Sequence, residues 1–287
     1  MPAPLKLQIL SDLHLETESF DPEPAPGADL LVLAGDIDTS WAAYERFSGW
    51  PTPVLVVPGN HEFDRRELRE ALPAFRDHCA RFGLRVIERD EWLHTTDEGR
   101  TIRFLGTVRW SDFDVFGPAR QAKAIKAAGY FQKVMQATCE GQVFDAQAVR
   151  AEALASRAWL QARLNSSADV RDDASPGRLR DADRVPNAPP FDATVVITHF
   201  APSLRSADPR YGTQPTTASF CNDDEDLIGH ADLWIHGHVH WRSDYTMPHR
   251  PNSGGASGGA SRVVCQARGL LHKGETEGFD PLRLFSV

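Results

Sequence analysis

Three histidines lie close together in the segment "LWIHGHVHW" (233–241), at positions His236, His238 and His240. Neutral imidazole is the commonest metal ligand among protein side chains. On an extended backbone, residues two apart point to the same side, so this spacing can direct several imidazoles at one ion. A solvated strand end that is rich in histidine gives the same pattern, because composition alone is only a hint of metal. The segment by itself leaves both interpretations open.

Polar residues able to bind metal ions also follow other strand-like runs of the chain. The runs within 5–10, 29–35, 53–59 and 193–200 are apolar, and they lead into Asp12 and His14, Asp36 and Asp38, Asn60, His61 and Glu62, and His199. The carboxyl ends of neighbouring parallel strands meet at one edge of an open α/β sheet, where such folds place their binding sites. Together with the histidine segment, five polar groups at five predicted strand ends therefore predict one metal site.

The composition excludes several classes of protein. The 287 residues are 41% hydrophobic, which is enough for one sizeable core. No stretch approaches the roughly 20 apolar residues of a membrane span, and the N-terminal segment lacks the apolar region of a signal peptide. The four cysteines form no CxxC pair, which favours reduced thiols in a cytosol. These features predict a cytoplasmic protein without membrane contact.

The net charge of −9 bears on the substrate. An acidic surface lacks the broad positive footprint that duplex DNA requires. It also repels long polyanions, so a small phosphorylated substrate is easier to admit than a nucleic acid. The sequence does not define an oligomeric state.

The coarse pattern of elements indicates an α/β fold. Helices are predicted over 39–49 and 65–82 between the first strands, and "GLRVIE" and "RTIRFLGTV" read as further strands. Residues 118–164 are Ala-rich and predict a helical excursion, with two helical patterns broken near Glu140–Gly141. Residues 165–190 predict a mobile surface loop, and 249–261 a Gly/Ser-rich loop at a hairpin tip. We expect one domain spanning residues 1–287.

The ordered set "SDLH", "GD", "GNHE", "TH" and "GHVH" resembles the calcineurin-like metallophosphoesterase superfamily over nearly the whole chain. It is also similar to a bacterial subgroup with "SDLHLE", "GNHEF" and "HGHVH". The closing block "CQARGLLHKGETEGFDP" departs from that subgroup's "NPRGY" at Gln266, Ala267 and Leu270. The resemblance implies a four-layer α/β/β/α sandwich of two mixed β-sheets flanked by helices. The metal site would lie at the carboxyl ends of the strands.

The resemblance also implies which residues bind which metal ion. Asp12, His14 and His240 would hold the first ion, and Asn60, His199 and His238 the second. Asp36 would bridge both. His236 precedes the glycine of the GHxH motif and is expected outside the ligand set. Nitrogen and oxygen ligands without thiolate favour Mn, Fe, Zn or Co, and we expect two divalent ions, with Mn favoured.

Other residues are candidates for proton transfer and substrate binding around the metal centre. By resemblance, His61 would donate a proton to the leaving group as general acid, and Asp38 is a candidate to orient it. Arg205, Arg210 and Arg268 are candidate substrate contacts, because arginine matches phosphate bidentately. Trp110 reads as a core residue rather than part of the pocket.

These expectations define a dinuclear metal-dependent phosphohydrolase acting on a small phosphodiester or phosphomonoester. Attack by a metal-bound hydroxide is the implied mechanism, with Asp36, Asn60 and His61 in the catalytic centre. A metal-dependent nuclease of the same superfamily is the first alternative. A non-catalytic binding scaffold is the second, and a scaffold would be expected to lose metal ligands, whereas here none is missing.

Overall fold

The computed structural model of the chain describes residues 3–165, 191–249 and 259–287. Its strands are β1 Lys6–Leu10, β2 Leu30–Ala34, β3 Val54–Val57, β4 Arg85–Val86, β5 Asp90–Thr95, β6 Thr101–Thr107, β7 Thr138–Cys139, β8 Gln142–Val143, β9 Ala193–Thr198, β10 Leu233–His236, β11 Ser243–Pro248, β12 Ala260–Cys265 and β13 Leu284–Ser286. Its α-helices are α1 Leu68–Ala80, α2 Pro118–Ala127, α3 Gly129–Met135, α4 Ala146–Asn165 and α5 Glu225–Ile228. Short 3₁₀ helices include Ala42–Phe47, His61–Phe63, Leu204–Ser206 and Pro215–Ser219.

Two mixed β-sheets form the centre of the molecule. The first has the order β13-β1-β2-β3-β4, in which β13 is antiparallel to the four parallel strands. The second has the order β11-β12-β10-β9-β6-β5, with parallel inner strands and antiparallel strands at both edges. Both sheets therefore present several strand ends at the same edge, where ligands can converge.

The side chains of the strands alternate between two apolar layers. Val32 and Ala34 of β2 pack between the sheets against residues such as Ile197 of β9, whereas Leu31 and Leu33 face outward. This period of two explains why the parallel strands read as continuous apolar runs, since both faces of each sheet are covered.

Helices cover the outer face of each sheet. Phe75 and Cys79 of α1 pack on the first sheet, while Leu160 of α4 and Ile228 of α5 pack against Trp234 on the second. The order helix, sheet, sheet, helix confirms the predicted four-layer α/β/β/α fold.

Several local predictions require correction. The helix predicted over 39–49 is only the 3₁₀ helix Ala42–Phe47, because Trp41 before it adopts a left-handed conformation (φ 72°) and ends any regular helix there. Strand β5 was not predicted, because its side chains are only partly buried and show no apolar alternation. It pairs with β6 through the predicted turn at 96–100.

The helical excursion contains three helices rather than two. Its predicted break near Glu140–Gly141 is the turn of the small β7–β8 hairpin, in which both residues have positive φ. The predicted loops at 165–190 and 249–261 lie outside the described residues except at their ends, where Asn165 closes α4 and Ala260 opens β12. The flanking strands β11 and β12 pair as an antiparallel hairpin. In the described part of the chain, we find no helix long and apolar enough to cross a membrane.

Candidate metal centre

The candidate ligands lie just beyond the carboxyl ends of β1, β2, β3, β9 and β10, where the two sheets meet. Five of them have left-handed backbone conformations, namely Asp12 (φ 53°), His14 (48°), Asp36 (54°), His238 (69°) and His240 (50°). Such a conformation costs non-glycine residues of order 1–3 kcal/mol and persists only where the surrounding structure imposes it. Five of the seven candidate ligands therefore have a strained backbone.

The glycines beside the ligands allow the loops to approach one another closely. A Cβ atom on Gly35 would collide with His199 Nδ1, and one on Gly59 would collide with Asp36 Oδ1. A Cβ on Gly237 would lie 2.6 Å from Asp12 Oδ2. Gly35 also needs its positive φ of 89°. The glycines of the GD, GN and GH pairs are thus required by packing around the ligand side chains.

The first group consists of Asp12, His14 and His240, whose ligand atoms all lie within 4.8 Å of one another. His14 Nε2 and His240 Nε2 are 3.1 Å apart, and His240 Nε2 is 3.3 Å from Asp12 Oδ1. Atoms bound to one ion at about 2.0–2.2 Å lie about 3.0–3.4 Å from each other. The spacing of this group therefore fits a single divalent ion.

The second group consists of Asp36, His199 and His238, within the same limit of 4.8 Å. His199 Nε2 lies 3.1 Å from Asp36 Oδ2. Asn60 belongs to the same neighbourhood through Gly59 and Asp36, and its buried Oδ1 accepts no hydrogen bond from any residue that the structure describes. A buried amide oxygen without a donor is costly, and coordination of a cation would satisfy it.

The charges in the two groups are strongly coupled. Burial raises the pKa of Asp12, but the hydrogen bond and charge of His240 outweigh it and hold the pKa at about 2. Burial lowers the pKa of His199, but Asp36 outweighs it and raises the pKa to about 9. For His240, Asp12 and Glu275 overcome burial and raise the pKa to about 10. Carboxylates that favour a proton on these imidazoles also favour a metal cation in its place.

The pKa of His238 shifts in the opposite direction from those of His199 and His240. Burial and the neighbouring His199 lower the pKa of His238 to about 3, so its imidazole is neutral. Its Nε2 lies 3.2 Å from the carbonyl oxygen of Ser219 and donates to it, so Nδ1 would be its candidate ligand atom. The ring also packs against Phe200 (4.0 Å between centroids) and stacks on Phe220 (5.0 Å).

The loop that supplies Ser219 and Phe220 is fixed by a buried polar network. Asn222 donates to the carbonyl oxygen of Arg109, and the fully buried guanidinium of Arg109 pairs with Asp224 and Asp112. No sequence motif marks this network, because its members act through backbone carbonyls and distant ion pairs.

His61 lies beside the first group, with its ring centroid 5.3 Å from that of His14. Its backbone N–H donates to Asp36 Oδ1 (2.9 Å), and its Nδ1 is 2.7 Å from Asp64 Oδ2. Burial lowers the pKa of His61, but Asp36 and the Asp64 hydrogen bond raise it to about 10. The sequence suggested Asp38 as the partner of His61, whereas the structure places Asp64 there.

Asp38 instead stabilises the start of the 3₁₀ helix. Its carboxylate accepts hydrogen bonds from Ser40 N, Ser40 Oγ and Ala43 N. Its position two residues after Asp36 made it a candidate, but its carboxylate forms these hydrogen bonds within its own loop.

Glu62 joins the loops that follow β2 and β3. Its buried carboxylate accepts hydrogen bonds from the backbone N–H groups of Asp36, Ile37 and Gly59 and from the hydroxyl of Tyr44. Burial and the neighbouring Asp36 raise the pKa of Glu62. Sequence reasoning grouped Glu62 with possible ligands, whereas the structure uses it to join two ligand-bearing loops.

His236 lies apart from the other two histidines of its segment. Strand β10 ends at His236, which shares the outward face of Trp234, and the positive φ of His238 breaks the extended geometry. His236 is buried, its Nε2 contacts Ser206 Oγ at 2.8 Å, and its Nδ1 contacts the carbonyl of Gly237. Neither ligand group includes it. The spacing of two therefore does not place all three imidazoles on one side.

The three candidate arginines each contact a carboxylate of the chain. Arg268 is buried and bonds Glu18 at 2.9 Å, Arg210 bonds Asp208 at 2.7 Å, and the exposed Arg205 lies 3.8 Å from Glu225. Their contact with substrate stays a prediction. Trp110 is a core residue that packs with Phe63, Phe144 and Phe200.

The donor set fits divalent metal ions. It combines carboxylate oxygen, amide oxygen and imidazole nitrogen, without thiolate, in two adjacent groups. Such a set suits Mn, Fe, Zn or Co. The geometry is therefore that of a protein built to hold two metal ions side by side, as metal-dependent phosphoester hydrolases do.

Comparisons with known proteins agree with this class. The sequence model of the Metallophos family, described as calcineurin-like phosphoesterase, matches residues 7–242. Because this match covers most of the 287 residues, the chain belongs to the calcineurin-like phosphoesterase family and is a phosphoester hydrolase.

Two solved structures are similar in fold at low sequence identity. A dimetal phosphatase from Danio rerio is 12% identical, with a TM-score of 0.41, over 92% of this chain and 87% of that one. The protein TT1561 of Thermus thermophilus is also 12% identical, with a TM-score of 0.46, over 99% of both chains. No curated protein matches the sequence.

Proposed function

We propose that the protein hydrolyses a small phosphodiester or phosphomonoester with two divalent metal ions. Asp12, His14 and His240 would hold one ion, and Asn60, His199 and His238 would hold the other. Asp36 would serve both. The observation that carries this proposal is the presence of two adjacent ligand groups whose donor atoms each lie within 4.8 Å, with the unpaired oxygen of Asn60 beside the second.

The charge of the ligand set suits a phosphate. Two divalent ions carry four positive charges, and the carboxylates of Asp12 and Asp36 offset two of them. The bound ions supply positive charge that attracts the phosphate and lowers the pKa of water so that a nucleophile forms near neutral pH. The protein would fix the positions of the two ions through strained loops and buried carboxylates. Close packing at Gly35, Gly59 and Gly237 would support these loops.

His61 supplies the proton for the leaving group. Asp64 accepts the hydrogen bond from Nδ1, so Nε2 is the atom that holds the second proton. Asp36 and Asp64 favour the doubly protonated ring, which can donate from Nε2 to the ester oxygen as the P–O bond breaks. The charged ring also stabilises the phosphate before transfer.

A panel assay tests this function. Chelator-treated protein is reloaded with Mn, Fe, Zn or Co and assayed with para-nitrophenyl phosphate, its bis ester and para-nitrophenyl phenylphosphonate. We expect metal-dependent hydrolysis of at least one ester and its loss in His199→Ala. The control is His94→Gln, on the edge strand β5 outside both ligand groups. Metal-independent hydrolysis, or equal activity in His199→Ala, would contradict the proposal.

The same proposal includes manganese as the preferred ion and a cytoplasmic location. Manganese suits a mixed set of imidazole, carboxylate and amide ligands. The four cysteines are free thiols, which agrees with a reducing compartment. Metal analysis of protein purified from its native cells tests the first point, and fractionation of those cells tests the second.

A further inference from the structure

The four candidate histidine ligands each use their second ring nitrogen to contact the protein, but the partners differ between the two groups. In the first group, His14 Nδ1 lies 3.2 Å from Glu16 Oε1, and His240 Nδ1 lies 2.6 Å from Glu275 Oε2. In the second group the partners are backbone carbonyls. His199 Nδ1 faces Ala34 O at 2.9 Å, and His238 Nε2 faces Ser219 O at 3.2 Å.

Each of the two carboxylates makes a second hydrogen bond within the protein. Glu275 is 4% exposed, and its Oε2 also accepts the backbone N–H of Leu270 at 2.9 Å. A Cβ on Gly269 (φ 71°) would collide with the Glu275 side chain, which shows how tightly the loop closes around it. Glu16 uses its other oxygen, Oε2, to accept the N–H of Thr39 at 3.1 Å. Glu275 is therefore held against His240 by burial, whereas the exposed Glu16 is held by its hydrogen bonds alone.

The histidines of the two groups therefore differ in the charge of their outer partners. Around the first position lie Asp12 and, one imidazole further out, Glu16 and Glu275. Around the second position lie the acidic Asp36 and the neutral Asn60, and the outer partners seen among the described residues are uncharged carbonyls. A carboxylate behind an imidazole makes the ligand nitrogen more basic and adds attraction for the cation, and such outer partners typically change metal affinity about 10–100-fold.

We propose that Glu16 and Glu275 are positioning residues that make the Asp12–His14–His240 position the tighter of the two. The protein then retains one ion at low metal concentration and fills the second position only as free metal rises. Hydrolysis follows the filling of the second position. This inference rests on the two-metal site of the proposed function, but its test needs no substrate.

The test is calorimetric titration of chelator-treated protein with Mn²⁺. We expect two resolved binding steps in the unaltered protein. His14→Ala should remove the tighter step, and His199→Ala should remove the weaker one. Glu16→Gln and Glu275→Gln keep a hydrogen-bond acceptor for the imidazole and remove only the charge. Each should weaken the tighter step about 10–100-fold and leave the weaker step unchanged.

Glu140→Gln is the matched control, since that exposed glutamate lies outside both ligand groups. Loss of the tighter step in His199→Ala, or a Gln variant that weakens only the second step, would overturn the inference. Unchanged binding in both Gln variants would overturn it as well. If one variant fails to fold, as judged by circular dichroism, the other decides. Two-step binding without hydrolysis of any ester would reject the proposed function and leave this inference standing.

Discussion

The Nδ1 atom of His61 lies 2.7 Å from Asp64 Oδ2, three residues further along the chain. Both residues are close to the ligand loops, because the backbone N–H of His61 also donates to Asp36. This pairing leaves Nε2 as the nitrogen that can face substrate. In the proposed mechanism this nitrogen donates the proton, whereas the candidate ligand histidines would use their inward nitrogens for metal.

Replacing His61 should impair the reaction in a way that depends on the leaving group. His61→Ala is expected to retain both metal ions and to hydrolyse an alkyl ester roughly 10²–10⁴-fold more slowly, because an alkoxide leaves as a strong base. Para-nitrophenolate leaves without a proton, so its ester should lose less. Steady-state rates with both esters, together with elemental analysis, provide the measurement.

Asp64→Asn should also slow hydrolysis of the alkyl ester more than hydrolysis of the para-nitrophenyl ester, since Asp64 orients the imidazole of His61. Asp38→Asn is the control, because Asp38 bonds only its own loop. Equal losses for both leaving groups in His61→Ala would show that His61 stabilises the phosphate electrostatically and that the proton has another source.

Asp36 should matter more for metal binding than Asp12. Its carboxylate belongs to the second group and lies 3.1 Å from His199 Nε2, and in the proposed centre it would also serve the first position. We expect Asp36→Asn to lose nearly all of the second ion and all measurable hydrolysis, whereas Asp12→Asn weakens one position. Elemental analysis of both purified variants measures this. Full occupancy in Asp36→Asn would reject the bridging role.

His236 should not be needed for metal binding. Its Nε2 is bonded to Ser206, and burial lowers its pKa to about 4, so it acts as a neutral buried residue. His236→Ala should keep both ions and lose thermal stability, because it removes the hydrogen bond with Ser206 and leaves a buried cavity. Metal content and melting temperature are the readouts, and loss of an ion would show that His236 belongs to the ligand set after all.

As pH rises, the stability of the metal-free protein should fall and the stabilisation by bound metal should rise. The pKa values of His199 and His240 rise from 6.5 in the unfolded chain to about 9 and about 10. Below about pH 6.5 the lowered pKa values of His236 and His238 oppose this effect. Between about pH 7 and pH 9 those two residues are neutral in both states, so the folded metal-free protein binds more protons than the unfolded chain and its free energy of unfolding falls. Metal must displace those protons, so metal affinity rises with pH.

Thermal unfolding at about pH 7, 8 and 9, with and without Mn²⁺, checks the sign of this linkage. We expect the melting temperature of the metal-free protein to decrease and the stabilisation by Mn²⁺ to increase. Stabilisation by Mn²⁺ that is constant or decreasing would mean that these imidazoles do not bind the ion.

The positions of the ligands could be predicted from sequence because each follows an apolar strand. Parallel strands of one sheet bring Asp12, Asp36 and Asn60 to one edge, and the second sheet adds His199 and His238. The same apolar runs, buried on both faces, indicated an α/β fold, and the four-layer arrangement was implied by the family resemblance. Element boundaries in 39–49 and 118–164 were harder to predict, because short 3₁₀ helices and hairpins depend on local backbone angles and tertiary contacts rather than on hydrophobic period.

The outer partners of the ligands were not predictable. Glu275 reaches His240 from 35 residues away, and the contact of Ser219 with His238 uses a carbonyl that every residue possesses. Asp64 was missed because Asp38 follows an aspartate in a conspicuous motif, whereas Asp64 follows a short 3₁₀ helix that only the fold defines. Such contacts depend on where distant loops meet, and sequence periodicity does not encode that.

Anomalous diffraction from crystals soaked in Mn²⁺ tests the central claim most directly. We expect two peaks about 3.5–4 Å apart, one bound by Asp12, His14 and His240 and the other by Asn60, His199 and His238, with Asp36 contacting both. A single peak at saturating Mn²⁺, or two peaks without Asp36 between them, would contradict the account.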